Sequence, residues 1–580
     1  MATRHSGTTR WAAALGLLSL GLVSLGFLLA GISSALADSH WKPVADSVYL
    51  QEVGSRVITE SPVTGAAVHD GSLYVIMDGA IHVLKDNTLA VVADAPAKVF
   101  KLVALDGALW ALGEKGLYRF AGAWKQVSKN RFVDVCLHAG AVHAATREDV
   151  FRYEDGTLTD IEPAKGYLSS DITVVMEDGS QVLADPVRLG PIDHLVSYSE
   201  TLYFLRPDGI VLLDGAVVDE RTVDWGALPS PVTRDLHAQG SRLYIATAKG
   251  LGELRGTNLI TIDGDEGLPY EDTTCLADGF DGDLWIGTTR GAIRKVGNDY
   301  HYFGAELWLP GDRVNAIAVG GHTVYVATDK GLGIIDYEPY TLRKKAAYYE
   351  RHLDEWGQKR LGFIHKLFWG GEEDGWIREI SDNDGGHTSP YLAAMALKYA
   401  VTGDEQAREE AVDAFKAMLW LETITPKSGF FARAIWSTTA DKHKKARHGS
   451  GGLPAKWYPT DDGLWYWKGD TSSDEAIAHY YSVSLFHDFA AKGPEKARAA
   501  EHLRRISTHI IDNGWVLRDM DGKPTRWGRW DPKYLLAPYG SYDRGLNALE
   551  VQAFIKSTHA IVCSGYGFLS VMNHTFFVDR

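Results

Sequence analysis

The feature that most constrains this chain is an internal repeat running through its first half, because a recurring unit fixes the architecture before any single residue is considered. An apolar residue followed by an aromatic is answered seven positions after the first by glycine: Leu109-Trp110 leads to Gly116, Leu202-Tyr203 to Gly209 and Leu243-Tyr244 to Gly250. Leu284-Trp285 leads to Gly291 and Val324-Tyr325 to Gly331 in the same way. Leu73-Tyr74 reaches Gly79 one residue early, and Val142-His143 leads to Asp149 in a degenerate copy, which brings the count to seven. In "DGDLWIGTTRGAIR" a turn at Asp281-Gly282-Asp283 opens a strand in which Leu284 and Ile286 share a face. The chain reverses near Gly291, where positive φ costs a glycine little, and a second strand returns. Units recur about every 32 to 42 residues, the period of four-stranded propeller blades. One longer interval, between Val142 and Leu202, predicts an insertion around Lys165–Gly190.

"FDGDLWIGTTRGAIR" and "GHTVYVATDKGLGII" resemble the propeller repeats of bacterial two-component-regulator sensors, with their D-G-x-L-W-I-G-T…G-L pattern. The resemblance covers roughly residues 60–342 and is sharpest in the sixth and seventh units. It implies a seven-bladed β-propeller over 45–342 that senses a ligand or serves as a scaffold outside the cytoplasm. The chain departs from that family in having no later membrane span, kinase helix or DNA-binding region, so the resemblance does not extend to a signalling output.

After Tyr340 the hydrophobic period changes from two to about 3.6, which predicts an all-α domain over 343–580. "HTSPYLAAMALKYAVTGDEQAREEAVDAFKAMLWLETI" reads as two helices joined at Thr402-Gly403-Asp404, with Thr388 or Ser389 as N-cap, Pro390 in the first turn and Gly403 as the stop. A second hairpin starts at "DTSSDEAIAHYYSVSLFHDFA", and a third inner helix is expected in "RGLNALEVQAFIKSTHAI". Helical hairpins separated by long Trp-rich loops resemble the α/α toroids of glycoside hydrolases and polysaccharide lyases. The stretch is too short for six hairpins, so the toroid is expected to be partial, and the aperiodic ending "GYGFLSVMNHTFFVDR" fits a truncated terminus.

Two helix entrances hold the densest polar chemistry. Asp382-Asn383-Asp384 precedes Gly385-Gly386-His387, and Lys468-Gly469-Asp470 precedes Thr471-Ser472-Ser473-Asp474-Glu475. Paired carboxylates suit glycoside hydrolysis, one acid protonating the leaving oxygen and the other acting as base or nucleophile. Asp384, His387, Asp470, Glu475 and His479 are therefore the candidate catalytic residues, with Glu475 and His479 four apart on one helix face. The competing reading is structural: a capped loop at Asp384, and a capping box in which Glu475 bonds back to its own helix start. Asp382, Arg433, Trp467, Lys468, Tyr480, Arg526 and Trp527 are the candidate substrate contacts, the indoles as stacking faces and the arginines as partners for uronate or sulfate. A lyase would instead draw its base from Tyr480 or His479. No cofactor is called for, although Asp-Asn-Asp supplies the hard oxygens that suit calcium without the full EF-hand spacing. His443 and His448 in "DKHKKARHGSGG" lack metal spacing.

At the other end, Arg4 and Arg10 precede an uncharged run from Trp11 to Ala37 that closes on Ala35-Leu36-Ala37, the form of a signal peptide spanning 1–37. Cleavage there predicts a periplasmic or extracellular protein; left uncleaved, residues 11–37 would anchor it to the membrane. The formal net charge is −16, which excludes nucleic acid and anionic lipid as natural partners and leaves a glycan or other small polar ligand. Cys136, Cys275 and Cys563 allow at most one disulfide. Two function classes follow: a glycan-active enzyme, hydrolysing in preference to eliminating, and a non-catalytic binding or sensor scaffold that uses the propeller.

Overall fold

Each repeat folds as the alternation demands. The apolar residue that opens it (Leu73, Leu109, Val142, Leu202, Leu243, Leu284 or Val324) is buried on the second strand of a four-stranded antiparallel sheet. The repeat glycine starts the third strand, and two contacts explain its identity. A Cβ on Gly116, at φ 136, would lie 2.0 Å from the Ser128 carbonyl oxygen, and one on Gly331, at φ 135, would lie 2.1 Å from that of Val57. Glycine thus answers both the backbone angle and the carbonyl of the adjoining outer strand.

The computed structural model describes residues 45–161, 173–175, 181–183, 190–207, 209–214, 217–221, 228–256, 258–373, 375–380, 382–437 and 456–563. The expected signal segment at 1–37, most of the expected insertion, the run with His443 and His448, and the ending after 563 lie outside these residues. The chain divides into two compact units, Val48–Thr341 and a second that contains Leu342 onward.

The first unit is a series of propeller-type sheets, seven of them four-stranded among the described residues. Six are built from consecutive strands. The seventh takes Val314–Gly320, Thr323–Thr328 and Gly331–Tyr340 and adds Tyr49–Ile58 as its outer strand, in continuous register from Tyr49↔Tyr340 to Ile58↔Gly331. The first strand of each sheet packs on the first strand of the next, and Val314–Gly320 packs on Val63–His69. Between sheets lie separate apolar clusters, such as that of Trp285, Phe303, Val324 and Ile335. Cys136 and Cys275 are free thiols here, and burial pushes both above the ordinary thiol range.

Among its described residues the second unit contains seven α-helices: α1 (Leu342–Glu355), α2 (Asp384–Thr402), α3 (Glu405–Thr423), α4 (Ser473–Phe489), α5 (Pro494–Asp512), α6 (Pro532–Leu535) and α7 (Arg544–Cys563). α2 packs on α3 and α4, while α4 also packs on α5 and α7. Leu392, Met418, Val483, Leu503 and Phe554 fill the core, with Phe415 and Phe486 stacked 4.5 Å apart.

Two expectations are corrected. The unit is not all-α: its Trp- and Tyr-rich connections pair into short strands, Leu367–Trp369 with Trp376–Arg378, Trp465–Lys468 with both Ile435–Ser437 and Trp457–Pro459, and Val516–Arg518 with Pro524–Arg529. Aromatic residues favour extended backbone where one face is covered. α2 also begins before Thr388 and Ser389, at Asp384, behind Asn383 in the left-handed conformation (φ 61). Thr388 spends its hydroxyl inside the first turn, donating to the Asp384 carbonyl at 2.6 Å and accepting from Ile364 N–H at 3.0 Å. The expected stop at Gly403 holds, at φ 72 with its N–H donating to the Tyr399 carbonyl.

Candidate functional site

The N-termini of α2 and α4 and the strands around them bring most of the predicted site residues into one hydrogen-bonded network. Asp382 accepts from Lys468 Nζ at 2.6 Å and faces Arg433 Nε at 3.2 Å. Arg433 Nη2 donates to Asn383 Oδ1 at 2.7 Å, and the Asn383 amide donates to Asp474 at 2.9 Å, which ties the start of α2 to the start of α4. The Arg433 backbone continues the link, accepting from Asp384 N–H and donating to the Lys468 carbonyl. Asp470, held at φ 52, accepts from Arg526 through N–H at 3.0 Å and through Nε at 2.6 Å. Its own N–H donates to Asp519 at 2.9 Å. Burial lowers the Lys468 ammonium from its ordinary range, against the support of Asp382 beside it.

The carboxylates proposed for catalysis are buried in this junction. Asp384 has no solvent exposure; one oxygen accepts from Ile435 N–H at 3.1 Å and the other lies 3.4 Å from His365 Nδ1. Glu475 is equally buried and accepts from Gly386 N–H at 2.8 Å. The capping-box reading of Glu475 is therefore replaced: it bonds across to the first turn of α2 and not back to its own cap. Glycine gives the Glu475 carboxyl room to approach, since a Cβ on Gly385 would meet its Oε2 at 2.6 Å and one on Gly386 would meet Oε1 at 2.9 Å. Desolvation raises the Glu475 carboxyl well above the usual carboxylate range, outweighing the Gly386 hydrogen bond. Its Oε2 has no hydrogen-bond partner among the described residues. His387, half-buried in the first turn of α2, is lowered from its ordinary value by desolvation, against the support of Asp384.

Three other candidates sit away from the rim. His479 is wholly buried under Phe431, with Nδ1 3.0 Å from His502 Nε2. Tyr480 stacks on Phe554 at 4.2 Å, and its hydroxyl meets Ser507 at 2.8 Å inside the core. Trp467 is buried against Tyr458. The cause is common to the first two: α4 is covered by neighbours on several sides, so its polar residues do not mark a solvent face. Trp527 is the exposed indole of the predicted set at 50%, next to the half-exposed Arg526.

Sequence reasoning missed Asn383 as a bridge, Asp519 as a backbone anchor, and a buried chain behind His479. In that chain Glu422 accepts from Arg505 at 2.9 and 2.6 Å and from Gly429 N–H at 2.8 Å, with His502 Nδ1 at 3.7 Å. Against the cost of burial, these partners hold the Glu422 carboxyl at about 2. Sequence reasoning also missed an exposed indole pair. Trp369 and Trp376 face each other across a hairpin, edge to face at 5.5 Å, in the segment leading into α2. Among the described residues no group of three or more His, Cys, Asp or Glu is placed to hold a metal ion, and the oxygens of Asp382, Asn383 and Asp384 go to different partners. No helix among them is long and apolar enough to cross a membrane.

No protein-family model matches the chain, and no curated protein matches it. Several solved structures are similar to it over half its length. Virginiamycin B lyase from Staphylococcus aureus is 13% identical, with 50% of this chain and 99% of that one covered, at a TM-score of 0.36. The extracellular domain of a hybrid two-component system from B. thetaiotaomicron is 10% identical, with 50% and 42% covered, at 0.39. PorZ, a surface component of the type-IX secretion system of Porphyromonas gingivalis, is 11% identical, with 50% and 39% covered, at 0.35. The chain thus spans less than half the length of the last two. The propeller character of the first unit stands on its own sheets.

Proposed function

We propose that this is an exported glycan-binding protein, built from a closed seven-bladed propeller and a partial α/α toroid, whose helical unit holds a saccharide at the loop end of α2, α4 and α7. The observation that carries the reading is the convergence of three separate loops on one charged network, Asp382–Arg433–Lys468 and Asp470–Arg526, beside the exposed Trp527. Fixed polar groups next to an indole face are what a pyranose ring requires, since one of its faces is apolar and its edge is lined with hydroxyls. Arg526 is half-exposed and suits a uronate carboxylate. The closed ring is supported by the packing of successive first strands, and export by the form of residues 1–37. Binding without turnover is the first reading, because Asp384 and Glu475 are sealed from solvent.

Isothermal titration with neutral and uronate-containing oligosaccharides tests it. Trp527→Ala, at unchanged melting temperature, and Arg526→Ala, which also costs Asp470 its cation, should each weaken binding about tenfold, and affinity equal to that of the unsubstituted protein in both variants would refute the site. Hydrolysis is the second reading, favoured by one observation: Glu475 keeps its proton to unusually high pH beside the exposed Asp474, as a general acid must. Product release that is abolished in Glu475→Gln while binding persists would establish it; no release from any bound oligosaccharide dismisses it.

A further inference from the structure

The seven first strands of the propeller unit can be compared at one register position. The residue paired with the third position after each repeat's opening apolar residue is Gly65, Lys101, Asp134, His194, Asp235, Cys275 or Ala316, in chain order. Four consecutive sheets carry polar groups there, and the others carry Cys275, Ala316 and Gly65. The four polar residues touch in sequence. Lys101 Nζ lies 2.6 Å from Asp134 Oδ1 and 3.1 Å from His194 Nδ1, and His194 Nδ1 lies 3.4 Å from Asp134 and 3.7 Å from Asp235.

Two of the four have a structural task that accounts for them. Asp134 accepts from Val135 N–H in its own sheet and from Leu195 N–H in the next. Asp235 repeats the device, accepting from Leu236 N–H at 2.9 Å and Leu276 N–H at 2.8 Å. Lys101 and His194 make no such clamp, and their side chains are about a quarter exposed, at 28% and 24%. An ammonium has no lone pair, so at 3.1 Å the His194 Nδ1 is the acceptor and the ring proton sits on Nε2. One Lys101 proton and the His194 Nε2–H are left to donate. Each Asp235 oxygen takes one backbone proton and keeps a lone pair, with the side chain 19% exposed.

Two donors and an acceptor therefore lie along one arc, with one cation against two carboxylates. A hydroxyl both gives and takes a proton, so neighbouring hydroxyls fit this order. An anion meets an excess of negative charge, and an ammonium ligand offers nothing for the two donors to bond. We propose that the innermost strands carry a second binding site, for a neutral polyol such as an uncharged saccharide, with Lys101, His194 and Asp235 as its polar wall. The site is separate from the one in the helical unit, and it needs only that the first strands face a common axis.

The test uses the full chain and isothermal titration with maltotriose, cellotriose and chitotriose, with glucuronate and glucosamine as charged controls. At least one neutral trisaccharide should show a binding step that survives Trp527→Ala. His194→Gln and Lys101→Met should each weaken that step tenfold or more at a retained melting temperature. Should Lys101→Met unfold because Asp134 loses its counter-ion, His194→Gln, which leaves both clamps in place, decides alone. The site is overturned if no neutral trisaccharide shows a step that His194→Gln removes, or if His194→Gln removes an equally strong step for either charged control. A step lost in Trp527→Ala and kept in His194→Gln belongs to the helical unit, so the two readings fail separately.

Discussion

The two units bury acids in opposite ways. In the propeller unit Asp134 and Asp235 stand at the same register position and do the same work, each stitching the backbone of one sheet to the next. In the helical unit three buried acids find three different solutions: Asp384 is held by a strand N–H, Glu475 by the first turn of another helix, and Glu422 by an arginine and a histidine. A repeated clamp spreads its load over equivalent sites. A singular junction concentrates it.

That contrast can be broken at its heaviest point first. Glu422→Ala should destabilise the helical unit by about 3–5 kcal/mol, since it removes the buried acceptor of Arg505 and of Gly429 N–H and leaves Arg505 only Glu501 at 3.6 Å. Denaturant titration followed by hydrogen exchange over 384–563 would measure it, with exchange in the sheets of 63–340 unchanged. Asp235→Ala should cost less, about 1–3 kcal/mol, because it leaves two backbone N–H groups without their acceptor. Urea titration read at the tryptophans of the propeller unit checks the value.

Acid should separate the two units more gently. Glu422 sits at about 2 against an ordinary value of 4.5, so its contribution is complete above 4.5 and is lost as pH falls toward 2. His509, which burial lowers to about 4 from 6.5, is stable as the neutral ring and loses its contribution as pH falls below 6.5 and through 4. Both work in one direction, so the melting temperature of the helical unit should fall steadily from pH 7 to pH 3. Asp134, at about 2 in the propeller unit, begins its loss only below 3.8. The smallest effect carries the opposite sign. Glu475 has a raised folded pKa, so its favourable contribution belongs to the protonated form and fades as pH rises. Glu475→Gln should therefore raise the melting temperature at pH 7, and the gain should vanish by pH 4.

The same contrast explains what the sequence disclosed. The sheets were legible because each repeat states its own strand, reversal and return within a few residues, and Leu109 to Gly116 is enough to place a hairpin. The network at Asp382, Arg433, Lys468, Asp470 and Arg526 was legible as a set of loop residues, though not as a set of bonds. The start of α2 was not, because Gly385-Gly386 is a poor helix opening, tolerated only where Glu475 from a strand-distant segment crosses it. The interior positions of His479 and Tyr480 were hidden for a related reason. Flanked by α2, α5 and α7, α4 keeps only a narrow exposed stripe of Asp474, Ile477, Tyr481 and Asp488, and because that stripe is half apolar the polar pattern does not announce which side is interior.

The strand Tyr49–Ile58 pairs only with Gly331–Tyr340 in its sheet. During synthesis it must wait, with its hydrogen-bonding edge open, until nearly the whole of the first unit has been made. Closing so long a loop costs modest entropy and brings much delay. The last event in folding this unit is thus the return of its earliest strand, and that waiting edge is where a chaperone would be needed most and where aggregation would begin.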